Sequence, residues 1–298
     1  MGGRSSETEF AFGPDWIILQ LDLRLRDGRG LREETQMPKL RDAVGRHFPF
    51  KLGKLPARPG AVTFKFAAFA VKEQLPTPPK VFGHQGVIGD WLMLGNDRWG
   101  CCVFSGGAHE TMMWSKIGEA PDASFNDAGI AKDYGAVTGF KVNDPNTDQG
   151  TDMSAAASYR RKTGLVDTNR KRHKILAYMA LKKRDTDQLA VAAYMYGAVG
   201  IGVQFPASAM SQFEARKPWK PVTGSAIEGG HYVPVVGRVK NGNFLVVTWG
   251  RLHEMTPEFY KKYCDEALVY LSSEMLVGGK SVEGIDLAKL KSSLSRLG

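Results

Sequence analysis

Gly100-Cys-Cys-Val-Phe-Ser105 and Glu228-Gly-Gly-His-Tyr-Val-Pro-Val-Val-Gly237 are the stretches on which the reading of this chain turns. The first follows a loop, Gly95-Asn-Asp-Arg-Trp-Gly100, and a helix is expected to begin near Cys102 and run through Trp114. A cysteine in the first turn of a helix lies beside unpaired backbone N–H groups and the positive end of the helix dipole. Both favour the thiolate and lower the thiol pKa. The same N–H groups suit an oxyanion forming on a carbonyl. Asn96, six residues before Cys102, is spaced to donate a second hydrogen bond to it. Taken alone, the stretch reads first as a buried cysteine acting as a small hydrophobe.

In the second stretch a histidine, His231, opens an apolar strand behind two glycines, which would let a substrate backbone approach. A lone histidine there is ordinarily surface or satisfied core. Phe244-Leu-Val-Val-Thr-Trp-Gly250 is a second apolar strand whose terminal Trp249 could wall the imidazole off from water, and which reads equally as core. The two strands are joined by Lys240-Asn-Gly-Asn243, a strong hairpin signal. Between these stretches, Asp148-Gln-Gly-Thr-Asp152 is a turn into a helix, Met153 to Thr163, ended by Gly164. Residues 185–198 read as a further helix capped by Asp185 or Asp187. Val199 to Val203 reads as a strand. Helices first and antiparallel strands later imply an α+β protein with segregated lobes.

Farther out, Leu19, Leu21, Leu23 and Leu25 alternate with polar residues as in a half-buried strand, and 38–48 reads as a short helix after Pro38. Residues 1–60 are expected to be an N-terminal extension: a propeptide, a small added lobe, or sequence upstream of an internal start at Met37. Leu75-Pro-Thr-Pro-Pro79 reads as the extended entry to the main domain. The tail 274–298 ends in an amphipathic run, Ile285 to Leu297.

With 298 residues, 43% of them hydrophobic, the chain has a globular composition and room for two lobes. A net charge of +9 is moderately basic, but no aromatic ladder accompanies the basic run Arg170 to Lys174, so nucleic-acid binding rests on charge alone and is not expected. The three cysteines, Cys101, Cys102 and Cys264, form no disulfide framework, since neighbouring cysteines rarely bridge. With no signal-peptide pattern and no run of about 18 apolar residues, a cytoplasmic location without a membrane span is expected. His84 and His109 with Cys101 or Cys102 lack the spacing of a zinc site. No metal or cofactor is expected.

Order and spacing together are more specific than any single stretch. They resemble the papain-like cysteine peptidase superfamily. That family reads Gln-x5-Cys at a helix start, then Asn- or Gly-His opening a strand that reaches Val-Gly six residues on, then Asn-Ser-Trp-Gly. Here Asn96 stands where the Gln would be relative to Cys102, His231 reaches Gly237 at the matching interval, and Trp249-Gly250 follows. Asp148-Gln-Gly-Thr-Asp-Met153 is similar to the family's glycine turn before its next helix. The likeness covers roughly 80–272 and is nearest to uncharacterised phage and bacterial proteins carrying Gly-Asn-Asp-x-x-Gly-Asp-Cys.

The resemblance implies a papain-like domain over 61–273, with a helical lobe at about 100–165 and an antiparallel, barrel-like β lobe at about 166–273 facing it across a cleft. It implies a peptide or amide substrate, with Cys102 as nucleophile, His231 as general base and Asn96 in the oxyanion site. Three departures stand out. Val247 occupies the place of the Asn that orients the base, leaving Thr248 or a bare dyad. Cys101-Cys102 allows two registers, of which the one with Cys102 places Asn96 correctly. The family's disulfide beside the site cannot form, because 148–153 holds no cysteine. A catalytically silent papain-like module serving binding or structure, for example in a phage particle, is the alternative function.

Overall fold

The computed structural model describes residues 50–70 and 75–281. The strand expected at 19–25, the helix at 38–48 and the run 285–297 lie outside the described residues.

Helices come first. After α1 (Phe66–Ala70) and a short strand β1 (Phe82–Gly83) come α2 (Cys102–Ile117), α3 (Asp127–Thr138) and α4 (Met153–Lys162). The chain then turns to strands: β2 (Leu165–Val166), β3 (Arg172–His173), β4 (Ala177–Ala180), β5 (Val199–Pro206), β6 (Ile227–Arg238), β7 (Phe244–Thr248), β8 (Arg251–Met255) and β9 (Cys264–Leu271). Helices α5 (Thr186–Tyr196), α6 (Ala207–Glu214) and α7 (Pro257–Tyr263) lie between them. The main sheet is antiparallel in the order β4-β9-β5-β6-β7-β8, with β1 also on β6. This is the α+β, two-lobe arrangement that the order of sequence patterns implied.

The caps follow side-chain chemistry. Asp152 accepts from the Ala155 N–H at the start of α4, and Asp185 from the Gln188 N–H at the start of α5. Gly242, at φ 89°, closes the β6–β7 hairpin. The sequence patterns missed α3, which begins at an Asn126 cap and ends at Gly139. Its interior glycines lower helix propensity, yet Gly135 is required, since a Cβ there would lie 2.6 Å from the Phe140 carbonyl oxygen.

Helix α2 is buried on all sides from Cys102 to Ser115, as befits a helix running through the centre of a core. It packs against β6, and Gly106 makes the approach possible, because a Cβ there would meet the Tyr232 ring at 2.5 Å. A closed polar cluster sits in this seam. Arg160 of α4 donates to Glu110 of α2 at 2.7 Å, and the Tyr232 hydroxyl of β6 donates to the other Glu110 oxygen at 2.6 Å. The Arg160 guanidinium also lies 4.4 Å from the centre of the Tyr270 ring of β9. Burial pushes the Glu110 carboxyl up, against the pull of Arg160 and Tyr232.

His173 of β3 is buried between two carboxylates, with Nδ1 2.5 Å from Glu274 and Nε2 3.2 Å from Asp167. Burial alone would lower its pKa, but the two acids outweigh it and the pKa is raised.

Removing one partner of the buried pair should strand the other. Arg160→Met is expected to cost about 3–5 kcal/mol of unfolding free energy in urea, and the double variant Arg160→Met/Glu110→Leu should recover part of that loss. Because the folded His173 pKa is raised, its contribution is complete below about pH 6.5 and is lost as pH rises through the folded value. Unfolding free energy should therefore fall above neutrality, and His173→Gln should flatten that part of the profile.

Candidate active site

Cys102 is the first residue of α2, and Cys101 is its N-cap, whose side chain accepts from none of the helix's first N–H groups. The loop before it is tied down by one carboxylate. Asp148 accepts from the Gly100 N–H at 3.0 Å and from the Tyr134 hydroxyl at 2.7 Å, and that hydroxyl accepts from the Gly150 N–H at 2.8 Å. A hydrogen-bonded clamp thus joins the two loops beside Cys102, where 148–153 has no cysteine for a disulfide.

Cys102 is buried, and burial pushes its thiol up to about 12, against the N–H groups of Tyr232, Gly53 and Val103 and the charge of Lys54. Cys101 faces elsewhere: its sulfur lies 3.3 Å from the Ser105 hydroxyl and 3.6 Å from the Leu94 carbonyl.

His231, in β6, is next to the Tyr232 whose N–H bears on the Cys102 sulfur. Its Nε2 is 2.8 Å from the Thr248 hydroxyl, while Nδ1 is buried without a hydrogen-bond partner. Complete burial pulls its pKa down to about 3. No hydrogen bond joins it to Cys102 in this state. Trp249 stacks on the imidazole at 4.3 Å and 14°. This tryptophan stands at φ 44° and Gly250 at φ 72°, the paired positive values of a two-residue hairpin turn. For a tryptophan that conformation is strained. It is held by contacts with His231, Phe50, Phe205 and Phe213. Val247 is buried in β7 and faces away from this role; Thr248 is the residue bonded to the ring.

Asn96 is buried, and its side-chain amide makes a long 3.5 Å contact to the Trp99 carbonyl. In this structure it is bonded within its own loop and not at the sulfur. His109 bonds the Leu92 carbonyl at 3.1 Å and meets Trp91 edge-on, which makes it a packing residue of α2. Among the described residues no three His, Cys, Asp or Glu side chains gather as a metal site would need. No described helix is long and apolar enough to cross a membrane.

The cleft is filled by the chain itself. Residues 50–55, assigned from sequence to the N-terminal extension, run as an extended strap over Cys102 and Trp249. Gly53 and Lys54 donate to the Gly230 carbonyl at 3.1 and 3.0 Å. Thr151 donates to the Gly53 carbonyl at 2.7 Å and accepts from Leu55 at 2.9 Å, and Lys54 pairs with Thr151 in parallel. The Trp249 indole donates to the Lys51 carbonyl at 3.2 Å, and Phe50 stacks on it at 5.1 Å. Gly53 is obligatory, since a Cβ would fall 1.9 Å from the Gly100 oxygen. Two cations fasten the strap. Lys54 meets Asp265 and Glu266, and Arg58 meets Asp152 at 2.6 Å. Arg58, Ser154 and the Ala155 N–H draw the Asp152 carboxyl down to about 2 in spite of its burial. Nothing in the local pattern of residues 50–58 marks them as a strap, because their partners lie far away along the chain.

No protein-family model matches the sequence, and no curated protein matches it by sequence. Solved structures do match by shape. Xylellain, a cysteine protease from Xylella fastidiosa, superposes with a TM-score of 0.53 at 16% identity over 76% of this chain and 98% of its own. ProCathepsin B S9 from Trypanosoma congolense gives 0.52 at 12% identity over 74% and 86%. Digestive procathepsin L2 proteinase from the larval midgut of Tenebrio molitor gives 0.50 at 16% over 80% and 77%. At such identities the likeness is one of fold, and the chain has the papain-like fold.

A thiol at about 12 should react slowly with iodoacetamide at neutral pH. Loosening the strap by Lys54→Ala/Arg58→Ala should raise labelling of Cys102 by about 10-fold or more, followed by intact mass with Cys102→Ser as control. Equal rates would mean that the strap does not govern access.

Proposed function

We propose that this chain is a cysteine peptidase or amidase held latent by residues 50–55. What carries the reading is the state of His231. Its Nε2 is engaged by Thr248, its Nδ1 is unoccupied, Trp249 covers its face, and the next residue offers its N–H to the Cys102 sulfur. That is the arrangement a general base needs beside a nucleophile at a helix start.

In the latent state both groups are neutral and dry. Displacement of the strap readmits water, and the thiol proton passes to His231 Nδ1. The thiolate then attacks the carbonyl carbon of a bound peptide or amide, forming a C–S bond. The oxyanion is met by backbone N–H groups at the start of α2, with Asn96 turned from Trp99 to assist. The imidazolium returns its proton to the departing amine as the C–N bond breaks, and water releases the acyl group with His231 again as base.

The test is hydrolysis of a fluorescent protein substrate by the full chain, wild type and strap-loosened. Activity should rise on loosening, disappear in Cys102→Ser and His231→Ala, and survive in Cys101→Ser. Thr248→Ala should lower kcat by about 10- to 100-fold. Undiminished activity in Cys102→Ser would refute the assignment. Absence of hydrolysis in every variant would favour a silent binding module.

A further inference from the structure

The strap carries one charged side chain into the cleft wall, and the wall is shaped for it. The Lys54 side chain is completely buried, with Nζ 2.7 and 2.6 Å from the two Asp265 oxygens and 3.0 Å from Glu266 Oε1. Asp265 and Glu266 are neighbours in β9, and adjacent residues of a regular strand point to opposite faces. Here the β5–β9 register shifts between Gly202 and Val203, so that Gly202 faces Glu266 while Val203 faces Cys264. Asp265 is the extra residue of a bulge, which re-aims a side chain and lets both carboxylates reach one ammonium. Gly202 opens the channel, since a Cβ there would come within 2.3 Å of the Lys54 Cε. Gly230 keeps the rim clear, since its Cβ would lie 2.1 Å from the Lys54 carbonyl oxygen.

An ion pair is a poor way merely to fasten a strap, because an apolar side chain in an apolar pocket would hold as well without the cost of desolvating three charges. A two-carboxylate pocket does discriminate, because once Lys54 leaves, only another cation satisfies it. The hydrogen bonds at Gly230 and Thr151 are made by backbone, so a peptide that replaces the strap can use the same groups and project a side chain at the same place.

We propose that Asp265 and Glu266 form a specificity pocket for a Lys or Arg side chain of the substrate, close to the bond that is cut. Lys54 is the pocket's resident mimic. This rests on the peptidase reading, and the experiment separates the two. The full chain and its Asp265→Asn/Glu266→Gln variant are profiled on matched fluorogenic peptides bearing Lys, Arg or Leu at each position near the bond. The ratio of kcat/KM for basic over Leu peptides is independent of how much enzyme is open. It should exceed about 10 in wild type and fall about 10-fold or more in the variant. Equal rates in wild type, or a preference that survives the substitutions, overturn the proposal. A second arm needs no catalysis. Lys54→Ala should gain thermal stability from n-butylamine but not from 1-butanol, and the gain should vanish in Lys54→Ala/Asp265→Asn/Glu266→Gln. If no peptide is cut and the amine still stabilises Lys54→Ala, the peptidase reading fails and the cation pocket stands. If the amine has no effect either, both are overturned.

Discussion

The Glu110–Arg160–Tyr232 cluster is the constraint on which the geometry above it depends. It joins α2 and α4 to β6 and β9 in the seam where α2 meets the sheet. Cys102 lies two turns up α2 from Glu110, and His231 is the residue before Tyr232. A shift of α2 against β6 would therefore move the sulfur relative to the imidazole by the same amount. An apolar seam of equal volume could be as stable, but it would tolerate sliding. Directed hydrogen bonds do not, and the proton transfer proposed between Cys102 and His231 would gain from that direction. Gly106 and Gly107 belong to the same solution, because side chains there would meet the Tyr232 ring and the Arg160 guanidinium.

A second tie fixes the other side of the cleft. Asp148 and Tyr134 bind the N–H groups of Gly100 and Gly150, and these two glycines border the strap. The clamp sets the width of the slot in which Gly53 fits, and Trp249 sets its floor. The strain of a tryptophan at φ 44° is offset by the aromatic contacts that the turn makes possible.

Legibility in the sequence followed locality. Cys102 at a helix start, His231 at a strand start and the Trp249-Gly250 turn each rest on a local pattern, and their spacing made the fold readable. The Asp185 and Asp152 caps and the Asn241-Gly242 hairpin are equally local. Glu110 and Arg160 were not legible, because a charge inside a helix normally faces solvent and only tertiary structure brings two such charges together in the core. Helix α3 was hidden by glycines kept for close packing. Thr248 stood beside a bare dyad as one of two choices in sequence, because only the strand's register brings its hydroxyl to the imidazole. Nothing local sets Lys54 apart from a surface lysine, because its partners Asp265 and Glu266 lie over two hundred residues on.

In the proposed latent peptidase, the strap's effect on the chemistry is electrostatic as well as steric. A thiolate–imidazolium pair exists only where the thiol is the stronger acid of the two, that is, where its pKa lies below that of the imidazolium. In the covered cleft the order is reversed by a wide margin, about 12 for Cys102 and about 3 for His231, and burial is the leading cause of both shifts. Desolvation disfavours each charged form separately, so it acts twice against the pair. The groups that would favour the thiolate are already present in the N–H donors of Tyr232 and Val103, but in a dry site they are too weak to compensate. On that reading, water returning beside Cys102 removes the leading penalty on its thiol, while His231 is covered by Thr248, Trp249 and Phe205. On the proposed peptidase reading, uncovering the site is the step that generates the nucleophile, and Lys54 and Arg58, which hold the strap through their ion pairs, act on the chemistry without touching the reacting atoms.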